Sequence, residues 1–137
     1  MNRLNYVINL KPKICFIEGG INDLKKGIPD EEIINNIHQI ILFLKQNNII
    51  PVLTSVLFVG EKHANAEKIN ESVNRLNIKI EKLSGEEKIY LINLNTALTR
   101  EGFLSTEYSL LDGIHLNEKA YKIWGKEVEK ALNYNKI

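Results

Sequence analysis

Two short polar clusters contain the residues of this chain that are best suited to chemistry. One lies at Gly20, Asn22 and Asp23, directly after an apolar run, and the other lies at Asp112 and His115, after a long loop. A carboxylate three residues before a histidine can hold one ring nitrogen and leave the other free as a general base. A side-chain amide presented just after a strand is a supported hydrogen-bond donor, which is what an oxyanion requires. The clusters therefore suggest a base at His115 and an oxyanion donor at Asn22.

Each cluster taken alone has a simpler interpretation. The tetrapeptide from Asp112 to His115 by itself favours an Asp-Gly turn followed by a solvent-facing histidine. The residues around Asn22 fit a plain Gly/Asn/Asp turn, in which Asp23 accepts backbone N–H bonds. The interpretation depends on where the fold places the two clusters.

The hydrophobic pattern predicts the order helix, strand, helix, strand, helix, strand, long loop and helix. The expected segments are a helix over 2–10, strands over 14–18, 49–56 and 88–94, a helix that Asp30 caps and that ends near residue 46, a helix over 62–83, and a last helix that Asn117 caps. Strands that alternate with helices predict an α/β three-layer sandwich around a parallel sheet of about three strands. We expect a single domain over residues 1–137.

This topology predicts that the polar clusters lie together. Ligands of parallel sheets bind beyond the carboxyl ends of the strands. Asn22, Ser55 and the loop with Asp112 and His115 all belong to that edge. The two clusters are thus expected to share one site.

In this order and context, the clusters resemble two sequence blocks of the SGNH (GDSL-type) hydrolase family. Gly20-Ile21-Asn22-Asp23 resembles its third block, and Asp112-Gly113-Ile114-His115, extended by Leu116, Asn117 and Tyr121, resembles its fifth. The resemblance runs from about residue 5 to residue 132. It implies a flavodoxin-like sheet and a serine ester hydrolase that needs no cofactor and acts on small acyl esters, such as acetylated sugars. It also implies that His115 is the base, that Asp112 orients it, and that Asn22, with Gly20, serves the oxyanion or the substrate.

The family's Gly-Asp-Ser block and its second glycine block are not recognisable in this sequence. We therefore expect an N-terminally truncated or split form of the hydrolase, which is weak or inactive as this chain alone. Ser55 is the nearest candidate for a nucleophile, but it lacks the tight strand-to-helix turn that exposes one, and Ser105 and Ser109 are weaker candidates. The alternative is a non-catalytic binding or assembly module with this fold. A flavin-binding or receiver domain is disfavoured, because no phosphate-binding loop follows the first strand.

The strand Ile14–Ile17 is the expected contact with a partner. The missing first strand of the family would lie beside it, which would leave an apolar strand as an exposed edge. We expect a homodimer, or a complementing N-terminal segment, to bind there.

Charge and composition argue against several other classes. Lysine plus arginine total 18 against 17 acidic residues, with no basic run interleaved with aromatics, so nucleic acid is not expected. Cys15, the sole cysteine, lies in an apolar strand, where a buried and unreactive thiol is expected. No cluster has metal-ligand spacing. His38 fits a half-buried surface position, and His63 fits a solvated helix start, with a place in a substrate cleft as the alternative. Without an apolar run long enough for a span or a signal peptide, we expect a cytoplasmic chain with no membrane partner.

Overall fold

The apolar segments fold into six α-helices and five β-strands within residues 2–137, the part of the chain that the computed structural model describes. The elements are α1 (Asn2–Asn9), β1 (Ile14–Ile17), α2 (Ile21–Lys25), α3 (Asp30–Gln46), β2 (Ile50–Thr54), α4 (Ala66–Glu87), β3 (Tyr90–Ile92), α5 (Asn95–Leu98), β4 (Thr99–Arg100), β5 (Phe103–Leu104) and α6 (Glu118–Tyr134).

The three longer strands form a parallel sheet in the order β1-β2-β3. Phe16 pairs with Val52 in the register of β1 and β2, and Val52 pairs with Tyr90 in the register of β2 and β3. A second, two-stranded antiparallel sheet joins β4 to β5. The predicted α/β class with a parallel sheet of about three strands is confirmed.

Alternate side chains of β2 enter two different cores, which gives the structure its three layers. Leu53 packs with the apolar faces of α3 and α4, whose buried members include Ile37 and Leu76. Val52 points to the opposite face and packs with residues of β3, α5, β5 and α6. The period of two along a strand is the physical reason that one strand serves both layers.

Several elements differ from the sequence-based prediction. The five-residue α2 occupies the stretch expected to be a turn, and α5 with the β4–β5 hairpin occupies part of the expected loop. Such short elements contain too few residues to show a hydrophobic period. The predicted helix 62–83 begins later and ends later, at Ala66–Glu87, because residues 61–65 form turns and Gly85 is accommodated within the helix.

The predicted capping role of Asp30 is wrong. Pro29 is the N-cap of α3, and Asp30 is already inside the first turn, where its side chain makes no capping hydrogen bond. Its carboxylate instead lies 3.6 Å from Lys79 Nζ of α4. Proline suits this position because it has no N–H to leave unpaired and its fixed φ is compatible with a helix start.

β1 is an edge strand that is only partly covered. It pairs with β2 alone, and Phe16 retains 37% of its accessible surface, whereas residues 51–54 of β2 are buried. Cys15 is half-buried, and desolvation raises the pKa of its thiol. Among residues 2–137, no helix combines the length and apolar character that crossing a bilayer requires.

Candidate functional site

Asp112 and His115 are in direct contact across a tight turn. His115 Nδ1 donates to Asp112 Oδ2 at 2.5 Å, while Asp112 Oδ1 accepts the backbone N–H groups of Ile114, at 2.9 Å, and of His115, at 3.0 Å. The hydrogen bond from the His115 ring, followed by the two backbone N–H bonds, holds the pKa of the Asp112 carboxyl well below its usual range. An ionised carboxylate can only accept, so this hydrogen bond fixes the tautomer with the proton on Nδ1.

The turn presents the other nitrogen of His115 to solvent. The side chain is 73% exposed, and within residues 2–137 its Nε2 has no hydrogen-bond partner. An oriented imidazole with a free, unprotonated Nε2 is the form that can accept a proton from a hydroxyl group.

The surrounding loop holds this turn in place. Leu110 N–H donates to the His115 carbonyl at 2.7 Å, and Asn117 N–H donates to the Tyr108 carbonyl at 2.9 Å. Asn117 is also the N-cap of α6, as the sequence predicted, because its side chain accepts the Ala120 N–H. His115 is therefore supported by both the loop and the start of a long helix.

Asn22 lies in the first turn of α2, shortly after β1. Gly20 is the N-cap of this helix, and its φ of 116° is a left-handed conformation that favours glycine. A Cβ on Gly20 would lie 3.0 Å from Leu76 Cδ2, so the glycine lets α2 sit directly on α4. Gly20 is buried and does not line the cleft that contains Asn22. Its position is therefore one that supports the packing of α2, whereas the sequence suggested contact with the oxyanion or the substrate.

One cleft of about 400 Å³ brings Asn22 and His115 together. Its wall between them is apolar. Two charged residues, Glu18 and Lys25, also line it, and partial burial raises the pKa of the Glu18 carboxyl. The apolar wall consists of Ile21, Val56, Leu57, Phe58, Val59, Ile114 and Leu116.

A pair of aromatic rings from α6 borders the same cleft beside His115. Tyr121 and Trp124 stack with ring centroids 5.7 Å apart and ring planes 15° from parallel. Tyr121 remains 56% exposed. The pair offers a flat apolar surface at the mouth of the cleft.

None of the described serines lines this cleft. Ser55, the nearest candidate by sequence, is 3% exposed, and its hydroxyl donates to Asn93 Oδ1 at 3.3 Å. Ser105 and Ser109 line a separate cavity, which Gly113 of the turn also lines. The structure thus brings together the predicted base, its carboxylate and the predicted amide donor, and it keeps the chain's own serines away from them.

The remaining polar residues singled out in the sequence have other surroundings. The Asp23 side chain makes no hydrogen bond within residues 2–137, so its predicted role in holding the turn is wrong. His63 Nε2 lies 3.3 Å from Lys25 Nζ, and His38 Nε2 lies 2.9 Å from Glu87 Oε1. No group of three or more potential metal ligands occurs in the described part of the chain.

The cleft wall after β2 is the part of the site that sequence reasoning missed. Residues 56–59 appear in the sequence as the apolar end of a strand, and nothing in their types indicates a ligand-facing role. The available signal lay elsewhere, in Asn70 of the following helix, since a buried asparagine is unusual unless it binds backbone groups.

The family model described as "GDSL-like Lipase/Acylhydrolase family" matches residues 2–123 of this chain. A curated relative, the isoamyl acetate-hydrolyzing esterase of Saccharomyces cerevisiae, is 29% identical over 117 residues, which cover 78% of this chain and 49% of the esterase. The chain therefore spans about half the length of that relative.

Solved structures share the fold. A GDSL-like lipase from Bacteroides thetaiotaomicron superposes with a TM-score of 0.85 at 27% identity, over 94% of this chain and 66% of the lipase. The psychrotrophic esterase EstA from Pseudoalteromonas, solved in a form inhibited by monoethylphosphonate, has a TM-score of 0.71 at 18% identity, over 97% of this chain and 68% of the esterase. The second similarity concerns the fold alone.

Proposed function

The chain belongs to the GDSL-like lipase/acylhydrolase family, and we propose that it carries the base and the oxyanion donor of a serine ester hydrolase whose nucleophile comes from residues outside these 137. The single observation that carries this proposal is that His115, whose ring is bound by Asp112, lines one cleft with Asn22.

In this mechanism a serine hydroxyl attacks the ester carbonyl carbon while His115 Nε2 takes its proton. The carbonyl oxygen becomes an oxyanion, to which the Asn22 side-chain N–H donates. The imidazolium, held by the ionised Asp112, then protonates the departing alcohol, and water hydrolyses the acyl-serine by the same steps. Asp112 stays ionised throughout, which agrees with its lowered pKa.

The edge strand β1 is the proposed place of attachment for the serine-bearing segment. Its outer side has no strand partner within residues 2–137, and its carboxyl end leads directly to the cleft. A strand added there would place its own carboxyl end beside Asn22. A second copy of the chain is the other proposed occupant of this edge, and it would compete with such a segment.

The proposed substrate is a small acyl ester. The apolar wall of the cleft suits an acyl group, and the exposed face of Tyr121 suits the apolar face of a sugar ring, so acetylated sugars are within the proposed class. The yeast relative acts on isoamyl acetate, as its name states, which supports a short acyl group.

The proposal is tested with a fluorophosphonate probe and intact-mass measurement. The first sample is the purified 137-residue chain. The second is a chimera, in which the part of the Bacteroides thetaiotaomicron lipase that precedes the region of similarity is joined ahead of residue 1. We expect no adduct on the chain alone and one adduct on the chimera, with hydrolysis of p-nitrophenyl acetate. Both signals should disappear in the chimera with His115→Ala.

Two results would contradict the proposal in different ways. An adduct on the chain alone that is lost in His115→Ala would mean that one of its own serines is the nucleophile, and Ser55→Ala would then identify or eliminate the first candidate. A chimera that folds, as judged by circular dichroism and a cooperative melt, yet gives neither adduct nor hydrolysis would favour the non-catalytic binding module.

A further inference from the structure

The residues that directly follow β2 connect the two halves of the candidate site. At one end, Val56 Cγ2 would lie 3.2 Å from a Cβ on Gly20, the N-cap of the helix that carries Asn22. At the other end, Gly60 N–H donates to the carbonyl of Gly113, inside the turn between Asp112 and His115, at 2.7 Å. We call residues 56–60 the bridging segment.

Side-chain amides bind the first part of the bridging segment. Asn77 of α4 accepts the Val56 N–H and donates to the Val56 carbonyl, both at 2.8 Å. Asn95 of α5 donates to the same carbonyl at 2.7 Å and accepts the Phe58 N–H at 3.1 Å. The backbone here is past the last paired residue of β2. The side-chain amides therefore bind backbone N–H and carbonyl groups that a neighbouring strand would bind within a sheet.

A third asparagine binds the second part. Asn70 of α4 accepts the Val59 N–H at 2.8 Å and donates to the Val59 carbonyl at 2.9 Å and to the Gly102 carbonyl at 2.9 Å. Asn70 is buried, and both of its amide atoms are engaged by these bonds. A buried amide is costly unless its hydrogen bonds are made, and an apolar side chain at this position would leave the Val59 N–H and carbonyl without these partners.

We propose that Asn70, Asn77 and Asn95 are positioning residues for the site: by clamping the bridging segment, they fix the separation between Asn22 and His115. The two ends have separate clamps. Asn77 and Asn95 hold the end that contacts Gly20, and Asn70 holds the end that contacts Gly113. An effect of these three asparagines on catalysis rests on the proposed roles of Asn22 and His115. Their effect on the positions of those two residues does not.

The separate clamps give a pattern that a merely structural role would not produce. In ¹⁵N-edited NMR spectra of the 137-residue chain, the side-chain NH₂ group of Asn22 reports the first end. The ring signals of His115, including the Nδ1 proton shared with Asp112, report the second. Asn77→Ala should move the Asn22 signals and leave those of His115 near their wild-type positions. Asn70→Ala should do the opposite.

The matched control is Asn74→Ala. Asn74 lies on the same helix between the two clamps, is exposed, and makes no side-chain hydrogen bond within residues 2–137. Asn74→Ala should leave the signals of both Asn22 and His115 at their wild-type positions and leave Tm unchanged. Each clamp variant should lower Tm by roughly 5 °C, since buried backbone groups lose their partners. If an alanine variant does not fold, Asn77→Ser and Asn70→Ser remove the same amide groups with a smaller loss of polarity.

The inference is overturned if folded clamp variants lower Tm while the Asn22 and His115 signals stay at their wild-type positions. It is also overturned if both variants move both sets of signals equally, which would indicate general loosening. Because these readouts do not require hydrolysis, the clamp can be upheld even if the chimera with the lipase segment proves inactive.

Discussion

The backbones of Gly60 and Gly113 are in direct contact. The Gly60 N–H donates to the Gly113 carbonyl at 2.7 Å, and a Cβ on Gly60 would lie 3.2 Å from the Gly113 Cα. Gly113 itself has a φ of 67°, which is in the left-handed region. Since Gly113 lies between Asp112 and His115, the contact sets how closely the turn approaches the bridging segment.

Gly60→Ala is expected to displace this turn. The new methyl group would press on the backbone of Gly113, which cannot rotate away as a side chain would. We expect the variant to lose about 1–3 kcal/mol of unfolding free energy, measured by urea denaturation, and to shift the ring signals of His115.

The control for this substitution is Gly125→Ala. Gly125 lies in α6, and a Cβ there would meet no atom within 4 Å. An alanine inside a helix should stabilise the chain by about 0.5–1 kcal/mol. If Gly60→Ala behaved like Gly125→Ala, the contact between Gly60 and Gly113 would not be tight.

Gly20→Ala should be destabilising for two reasons that act together. The residue has a positive φ of 116°, and its Cβ would meet Leu76 at 3.0 Å and Val56 at 3.2 Å. We expect a loss of about 2–4 kcal/mol from strain and overpacking, visible as a lower midpoint in urea. Gly19→Ala is the matched comparison, because nothing lies within 4 Å of the place its methyl group would occupy, and it should cost far less.

Glu87 should contribute to the loss of stability in acid. Its carboxylate binds Lys45 Nζ at 2.6 Å and His38 Nε2 at 2.9 Å, and these bonds, that of Lys45 first, lower its pKa. A carboxyl group whose pKa is lower in the folded state adds stability above its unfolded pKa, and that stability is lost as the pH falls through the folded value. Urea midpoints of the parent should therefore fall below about pH 4.5, and those of Glu87→Gln should fall less.

A control isolates this effect from general acid sensitivity. Glu86→Gln changes an exposed neighbour whose only ion pair within residues 2–137 is the exposed one with Lys82. It should leave the acid slope close to that of the parent. Equal slopes for Glu87→Gln and the parent would show that the carboxylate is not held by Lys45 and His38 in solution.

Asp112→Asn should remove most of the activity of a hydrolysing form, such as the proposed chimera. An amide at this position no longer fixes the tautomer of His115 or stabilises its imidazolium, which in a comparable triad costs on the order of 10⁴-fold in kcat. Asn22→Ala should cost roughly 10²- to 10³-fold, since it removes one donor to the oxyanion. Both are measured with p-nitrophenyl acetate at saturating concentration.

The stability of these two variants separates catalysis from folding. Both side chains are exposed, but only Asp112 accepts hydrogen bonds from the turn. The melting temperature of Asn22→Ala should therefore stay within a few degrees of the parent, and that of Asp112→Asn should fall further. Unchanged kcat in a folded Asp112→Asn variant would show that the carboxylate has no part in the reaction.

The sequence by itself determined the layered fold and the chemical core of the site. Helical stripes such as that of Ile33, Ile37 and Leu44, with short apolar runs between them, specify parallel strands covered by helices, because a helix has one apolar face to bury and a short apolar strand has two. Asp112 and His115 are three residues apart, so a local turn suffices to join them. Their spacing permitted this contact, and the resemblance to the hydrolase family singled it out.

Only the tertiary structure decided which contacts hold the residues of the site in position. The contacts of Gly60 with Gly113, of Val56 with Gly20 and of Asn77 with Val56 join residues that are 53, 36 and 21 positions apart, and they depend on packing of helices onto the sheet. No local pattern encodes such distances. The burial of Ser55, which keeps its hydroxyl from the cleft, likewise depends on the end of the neighbouring strand β3, where Ser55 bonds to Ile92 and Asn93, rather than on its own sequence context.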